Sequence, residues 1–239
     1  MTTPSIDQID TGGDIRTLAE DAGAWDPAGT RRDMLKRAGL AGAGLAAGGS
    51  LLSAFLSPFE AAAQGGAIAW TKRKSAANDV KIGNYALTLE YLEAAFYTQA
   101  VQNGALTDGD VATFAKTVAK HETDHVKALR KLLGRAAVKA PQVDFGNAVT
   151  DQATFLKTAN ALEPVGTAAY AGAGPYIKTT SIVAAALAIH SVEANHAAWA
   201  AALSLYKFGG SALPAPNSFN PAYSRAKTLK VVAGTGFLK

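Results

Sequence analysis

Apolar residues recur at intervals of three and four along four long segments, the spacing of helices that bury one face. The predicted bounds of the four helices are Asn78 or Asp79 to Asn103-Gly104, Thr107-Asp108 to Gly134, about Asp151 to Ala173, and about Thr180 to Tyr206. Glycines follow all four segments, as they do at many helix ends. Strand patterns are nearly absent, so the sequence predicts an all-α fold.

The links between these helices are short, long and short. The long link, Arg135–Thr150, contains Pro141 and Gly146 and has no helical period. Two helical hairpins joined by one long crossover therefore form the predicted four-helix bundle. From Ser211 onward the chain is proline-rich, and we expect an irregular tail that packs across the bundle surface without a fifth helix.

Composition excludes several classes of protein. The 239 residues are 49% hydrophobic and 18% charged, which is too apolar for a disordered chain. With no cysteine, the chain has no disulfide framework, thiolate metal site, iron–sulfur cluster or cysteine nucleophile. Residues 64–239 carry 18 basic and 11 acidic residues. The basic residues are scattered along helix faces, so we expect no nucleic-acid partner.

The N-terminal segment predicts export. Thr30-Arg31-Arg32-Asp33-Met34-Leu35-Lys36 resembles the twin-arginine motif, and a Gly/Ala-rich apolar run follows over residues 38–56. Small residues before Gln64 offer a cleavage site. We therefore expect a leader over residues 1–63, a bundle domain over residues 64–239, and a periplasmic or extracellular location. The alternative is an uncleaved leader that anchors the domain to the membrane.

After residue 64 the chain has only five glutamates and four histidines, and all of them lie within the predicted helices. Glu122-Thr123-Asp124-His125 on the second helix and Glu193-Ala194-Asn195-His196 on the fourth are both Glu-x-x-His steps. Residues three apart share a helix face, so each step can direct one carboxylate and one imidazole into the bundle.

The two halves of the chain form an internal repeat. Leu89-Glu90-(x)4-Ala95-x-Tyr97-x-x-Ala100 aligns without gaps to Leu162-Glu163-(x)4-Ala168-x-Tyr170-x-x-Ala173. Each half thus supplies one glutamate helix and one Glu-x-x-His helix, which is the ligand set of di-iron carboxylate bundles. Buried without metal, four such glutamates would repel one another. The predicted metal ligands are Glu90, Glu122, His125, Glu163, Glu193 and His196.

These segments resemble the ferritin-like superfamily, and more narrowly the exported bacterial ferritin-like domain proteins related to plant desiccation-related proteins. The resemblance covers about Asp79 to Tyr206, and it implies a ferritin-like four-helix bundle that binds metal. It implies no particular reaction, and no catalytic residue is assigned.

Further polar residues lie close to the predicted ligands in sequence. Glu93 follows Glu90 by one helical turn and is either an extra ligand or a solvated residue. Tyr97 and Tyr170 lie seven residues after their glutamates and are expected to be core residues that hydrogen-bond the groups around the metal, with a redox role as the alternative. His121 and His190 fall outside the repeat, and we expect them to support the ligands or to lie at the surface. The alternative is that either one binds metal itself.

The favoured function is an exported di-iron carboxylate protein that reacts with dioxygen or peroxide, as in ferrous oxidation or stress protection. Manganese in the same site would support peroxide disproportionation. The alternatives are a non-catalytic stress-binding bundle and a haem held by His125 and His196. After residue 64 the chain has neither Met nor Cys, the most oxidisable side chains, which suits oxidative chemistry. We expect a monomer or homodimer.

Overall fold

The fold was analysed in a computed structural model that describes residues 66–238. The predicted leader, with its twin-arginine motif and cleavage site, lies outside the described residues. Within residues 66–238 the secondary structure is helical, with one isolated β-bridge between Val143 and Leu238. No helix in this range is both long and apolar enough to cross a membrane.

Four long helices form the bundle, as the apolar period predicts. They are α1 (Ala76–Asn103), α2 (Gly109–Leu133), α3 (Gln152–Ala173) and α4 (Thr180–Phe208). Helix α1 packs mainly on α2, and α3 packs mainly on α4, so the chain forms two hairpins. The crossover between them includes 3₁₀ turns at Gly134–Ala136 and Gly146–Val149. The all-α, ferritin-like bundle expected from the sequence is confirmed.

Helix ends follow local capping chemistry. The Asp108 and Asp151 side chains cap α2 and α3 by accepting backbone N–H groups of the first turn. Helix α1 begins earlier than predicted, since Ser75 is its cap. Asp79 instead accepts hydrogen bonds from the backbone of Lys178 and Thr179, at 2.8 and 3.1 Å. This contact joins the start of α1 to the start of α4.

The prediction that the tail has no helix is wrong. Residues Arg225–Gly234 form a fifth helix, α5, capped by Ser224. Only Thr228 and Val232 are buried on it, which is too few positions to produce a recognisable apolar period. The tail lies against α3, where a Cβ on Gly172 would fall 1.8 Å from the carbonyl oxygen of Tyr223. The absence of a side chain at Gly172 allows this close approach.

An aromatic layer fills the bundle core beside the polar residues. Phe96, Tyr97, Phe114 and Phe155 are all fully buried. Phe96 stacks on Phe155 with ring centroids 5.2 Å apart, and Tyr97 meets Phe114 edge-on at 5.7 Å. The hydroxyl of Tyr97 nevertheless reaches out of this layer to a carboxylate, so the layer forms one wall of the candidate site.

Candidate metal centre

Each of the four bundle helices brings one glutamate into the core. Glu90 on α1, Glu122 on α2, Glu163 on α3 and Glu193 on α4 are all 0% exposed. Carboxylates are rarely so deeply buried unless they are paired or bind a cation. The periodicity of the sequence placed these positions on inward faces, and the structure brings them together.

Two groups of potential ligands share this space. Site 1 consists of Glu90, Glu122, His125 and Glu193, and site 2 of Glu122, Glu163, Glu193 and His196. Within each group the ligand atoms lie within 4.8 Å of one another. Glu122 and Glu193 belong to both groups, so the two Glu-x-x-His glutamates can bridge two adjacent ions. The residues present could therefore hold a pair of metal ions.

In site 1 the carboxylates converge on one imidazole nitrogen. Nδ1 of His125 lies 3.1 Å from Oε2 of Glu90, 3.2 Å from Oε2 of Glu122 and 3.2 Å from Oε1 of Glu193. His125 has a 12% exposed side chain, so this site lies nearer the surface than its neighbour.

In site 2 the potential ligand atoms lack hydrogen bonds. Nδ1 of His196 is 2.9 Å from Oε1 of Glu122, yet neither atom has a hydrogen-bond partner. Oε2 of Glu163 and both carboxylate oxygens of Glu193 are also buried without partners. Unpartnered buried oxygens are costly, and a cation between them would remove that cost. This pattern fits bound metal.

The repeat tyrosines bond across the two halves. Tyr170 on α3 donates a 2.5 Å hydrogen bond to Oε1 of Glu90 on α1. Tyr97 on α1 donates to Oε1 of Glu163 on α3. Each tyrosine thus holds one oxygen of the opposite glutamate and leaves its second oxygen turned toward the centre.

His121 contacts a predicted ligand, whereas His190 does not. Nδ1 of His121 lies 2.9 Å from Nε2 of His196, and the two rings stack with centroids 5.2 Å apart. When Nδ1 of His196 is free to bind a cation, its hydrogen is on Nε2 and is donated to His121. His190 lines a separate cleft beside Tyr170 and belongs to neither site.

Glu93 lies beside the two sites and breaks the symmetry of the repeat. It is 4% exposed, and its Oε2 has no hydrogen-bond partner. A Cβ on Gly166 would lie 2.7 Å from Oε2 of Glu193 and 3.2 Å from Oε1 of Glu93, so the missing side chain of Gly166 makes room for both carboxylates. The repeat alignment pairs Glu93 with Gly166, a signal that the sequence analysis did not use.

Burial and mutual repulsion raise the pKa values of most of these carboxyl groups. Burial, with the charges of Glu122 and Glu163, raises the pKa of Glu193 to about 8. The pKa values of Glu90 and Glu93 are raised well above their usual range by burial and by Glu193. Without metal, these groups therefore retain protons at neutral pH.

Glu122 and the two histidines form the charged part of the metal-free cluster. Burial would raise the pKa of Glu122, but the adjacent imidazoles of His125 and His196 overcome this effect and lower the pKa to about 2. Burial would lower the histidine pKa values, but the neighbouring carboxylates raise that of His125 to about 12 and that of His196 to about 10. Divalent metal would replace these imidazole protons.

Comparison with known proteins agrees with this geometry. The family model described as a ferritin-like domain matches residues 78–205, from the start of α1 to near the end of α4. The matched segment includes all six predicted ligands. No curated protein gives a match to the chain.

Proposed function

Because the chain belongs to the ferritin-like domain family, we propose that it is an exported di-metal carboxylate protein whose ions react with dioxygen or peroxide. The observation that supports this most strongly is the sharing of Glu122 and Glu193 between two histidine-containing ligand groups. Shared carboxylates hold two ions close together, which suits reactions that need two electrons at one place.

Charge balance supports two divalent ions. Glu90, Glu122, Glu163 and Glu193 together supply four negative charges when ionised, and two neutral imidazoles complete the donor set. Oxygen and imidazole donors without thiolates suit iron or manganese. We propose iron as the resident metal. A pair of ferrous ions held by these residues would supply the two electrons that, with two protons from solvent, reduce one hydrogen peroxide to two waters.

The chain's own residues orient the ligands and limit water around them. Tyr97 and Tyr170 each hold one oxygen of a glutamate, and His121 fixes the orientation of the His196 ring. The aromatic layer around Phe96 and Phe155 closes one side of the cluster. Fixed ligand orientations and restricted water favour a defined reaction over leakage of reactive oxygen species.

Export and stress protection are further parts of the proposal. The Arg31-Arg32 motif with the apolar run after it supports export by the twin-arginine machinery. Outside the cytoplasm, removal of ferrous iron together with peroxide would protect other molecules from oxidation. Cell fractionation of the native producer tests export, and replacement of both arginines by lysine should retain the protein inside the cell.

Metal analysis of the full chain, purified without chelators, tests the central claim. We expect about two iron ions per chain, and a Glu122→Ala/Glu193→Ala variant should lose both. Ferrous oxidation and peroxide consumption are then measured on the loaded protein. Two manganese ions in place of iron, with peroxide disproportionation, would replace the iron assignment. Failure to bind metal even after anaerobic addition of Fe(II) would contradict the whole proposal.

A further inference from the structure

An open cleft lies beside the metal centre, between the end of α3 and the first half of α4. Its volume is about 420 Å³, within the range of small-molecule sites. Its wall is largely apolar, formed by side chains that include Ile177, Val183 and Leu187. Leu187 is 60% exposed at this wall, so its side chain is open to a molecule in the cleft.

Two polar side chains interrupt this apolar wall. Lys74 is exposed, and no carboxylate of the described residues is paired with it. His190 has a buried Nε2 without a hydrogen-bond partner. Within residues 66–238 no Asp or Glu lines the cleft, and Lys74 gives it a positive charge. The Lys74 cation beside apolar surface suits a molecule with an acidic head and an apolar body.

One side chain, Tyr170, contacts both the cleft and the metal centre. Tyr170 lines the cleft, and it also lines a small apolar cavity of about 30 Å³ between the four bundle helices. The hydroxyl of the same tyrosine donates to Glu90 of site 1. A molecule in the cleft would therefore lie one residue away from a potential metal ligand.

We propose that this cleft binds a small carboxylate with an aliphatic or aromatic body. The carboxylate lies toward Lys74, and the apolar body covers Val183 and Leu187 and reaches the ring of Tyr170. This assigns a ligand site outside the six metal ligands. The binding claim does not require bound metal, so it can fail or succeed independently of the proposed function.

Octanoate binding to the full chain, kept metal-free with a chelator, tests this proposal. Isothermal titration should give a dissociation constant of about 1 mM or tighter, and the amide shifts of Ala171, Val183 and Leu187 should move in NMR spectra. Lys74→Glu and Leu187→Glu each place a negative charge at the cleft and should weaken binding about tenfold or more. Both residues are exposed, so the variants should fold.

Lys116→Glu is the matched control, since Lys116 is an exposed lysine on α2 outside the cleft. It should bind octanoate as the wild type does. If Lys116→Glu and Lys74→Glu weaken octanoate binding equally, the loss depends only on the net charge of the chain, and the proposal is overturned. Octan-1-ol binding as tightly as octanoate would overturn the carboxylate assignment, and absence of octanoate binding at about 10 mM would overturn the site.

Discussion

Tyr170 and Glu90 lie on different hairpins, yet the tyrosine hydroxyl donates a 2.5 Å hydrogen bond to the glutamate carboxylate. The repeat partner of this pair, Tyr97 with Glu163, makes the same bond in the opposite direction across the bundle. Each half of the chain therefore orients a potential metal ligand of the other half. Docking of the two hairpins and formation of the metal centre are coupled by these bonds.

Loss of the Tyr170 hydroxyl should weaken site 1. In Tyr170→Phe, Glu90 loses its donor and can rotate, so we expect an about 10- to 100-fold loss of affinity for one of the two ions. Stepwise titration with Fe(II) or Co(II) under anaerobic conditions measures this. Tyr91→Phe is the control, because the Tyr91 hydroxyl on the same helix as Glu90 bonds the Val138 carbonyl instead. Equal losses in both variants would contradict the prediction.

Shared and unshared glutamates should differ in metal stoichiometry. Glu122 belongs to both ligand groups and Glu90 to one. Glu122→Ala should therefore lose both ions, whereas Glu90→Ala should retain about one per chain. Elemental analysis of each purified variant gives the answer. Asp124→Asn serves as a control because Asp124 pairs with Lys120 and Lys127 on the outer face of α2. Identical stoichiometry for Glu122→Ala and Glu90→Ala would argue against a bridged pair.

Removal of His121 should affect the two sites unequally. His121 bonds His196 of site 2, and the repeat alignment places Val192 at the corresponding position of the other half. We expect His121→Ala to lower the affinity of one ion about tenfold or more and to leave the other unchanged. His190→Ala is the matched control, since His190 lies in the cleft. A uniform loss at both sites would point to general destabilisation instead.

Gly166 should tolerate no side chain. Alanine in a helix interior normally stabilises by about 1 kcal/mol relative to glycine. At Gly166, however, a Cβ would lie 2.7 Å from Oε2 of Glu193, so Gly166→Ala should displace this carboxylate and reduce metal binding. Gly109→Ala on α2 is the control, because nothing lies within 4 Å of its added Cβ. Thermal unfolding and metal titration of both variants provide the comparison, and unchanged metal binding in Gly166→Ala would refute this packing argument.

The metal-free protein should lose stability as the pH rises from 5 to 8. The pKa of Glu193 is raised to about 8 and that of His196 to about 10, so the folded chain holds protons that the unfolded chain releases. Between its unfolded and folded pKa values, each such group lowers the free energy of unfolding by about 1.4 kcal/mol per pH unit, so Glu193 acts from about pH 5 and His196 adds to it above about pH 6.5. The stability that these raised groups contribute is complete below their unfolded pKa values and is lost as the pH passes the folded ones.

Metal should reverse this trend. Ion binding needs ionised carboxylates and neutral imidazoles, so bound metal should stabilise the chain more at pH 8 than at pH 5. Chemical denaturation with and without Fe(II) or Mn(II) across this range measures both trends. A metal-free chain that becomes more stable toward pH 8 would contradict the inferred protonation of the cluster.

The sequence alone determined the helices and the ligand types. Apolar spacing fixed the four long helices to within a few residues, since burial of one face imposes the period. The two Glu-x-x-His steps and the repeat of Leu89-Glu90 in Leu162-Glu163 indicated which faces carry carboxylates. Helix α5 was not predicted because a ten-residue helix with two buried positions has no distinct apolar period. The helical period shows on which face of its own helix a side chain lies.

Only the tertiary structure decided which residues meet across the bundle. Distances between helices depend on packing, and a sequence period carries no information about them. The crossed tyrosine bonds, the sharing of Glu122 by both sites and the contact of His121 with His196 are all relations of this kind. The burial of Glu93 is a further relation of this kind. Its carboxylate fits beside Gly166 because this glycine on the facing helix has no side chain.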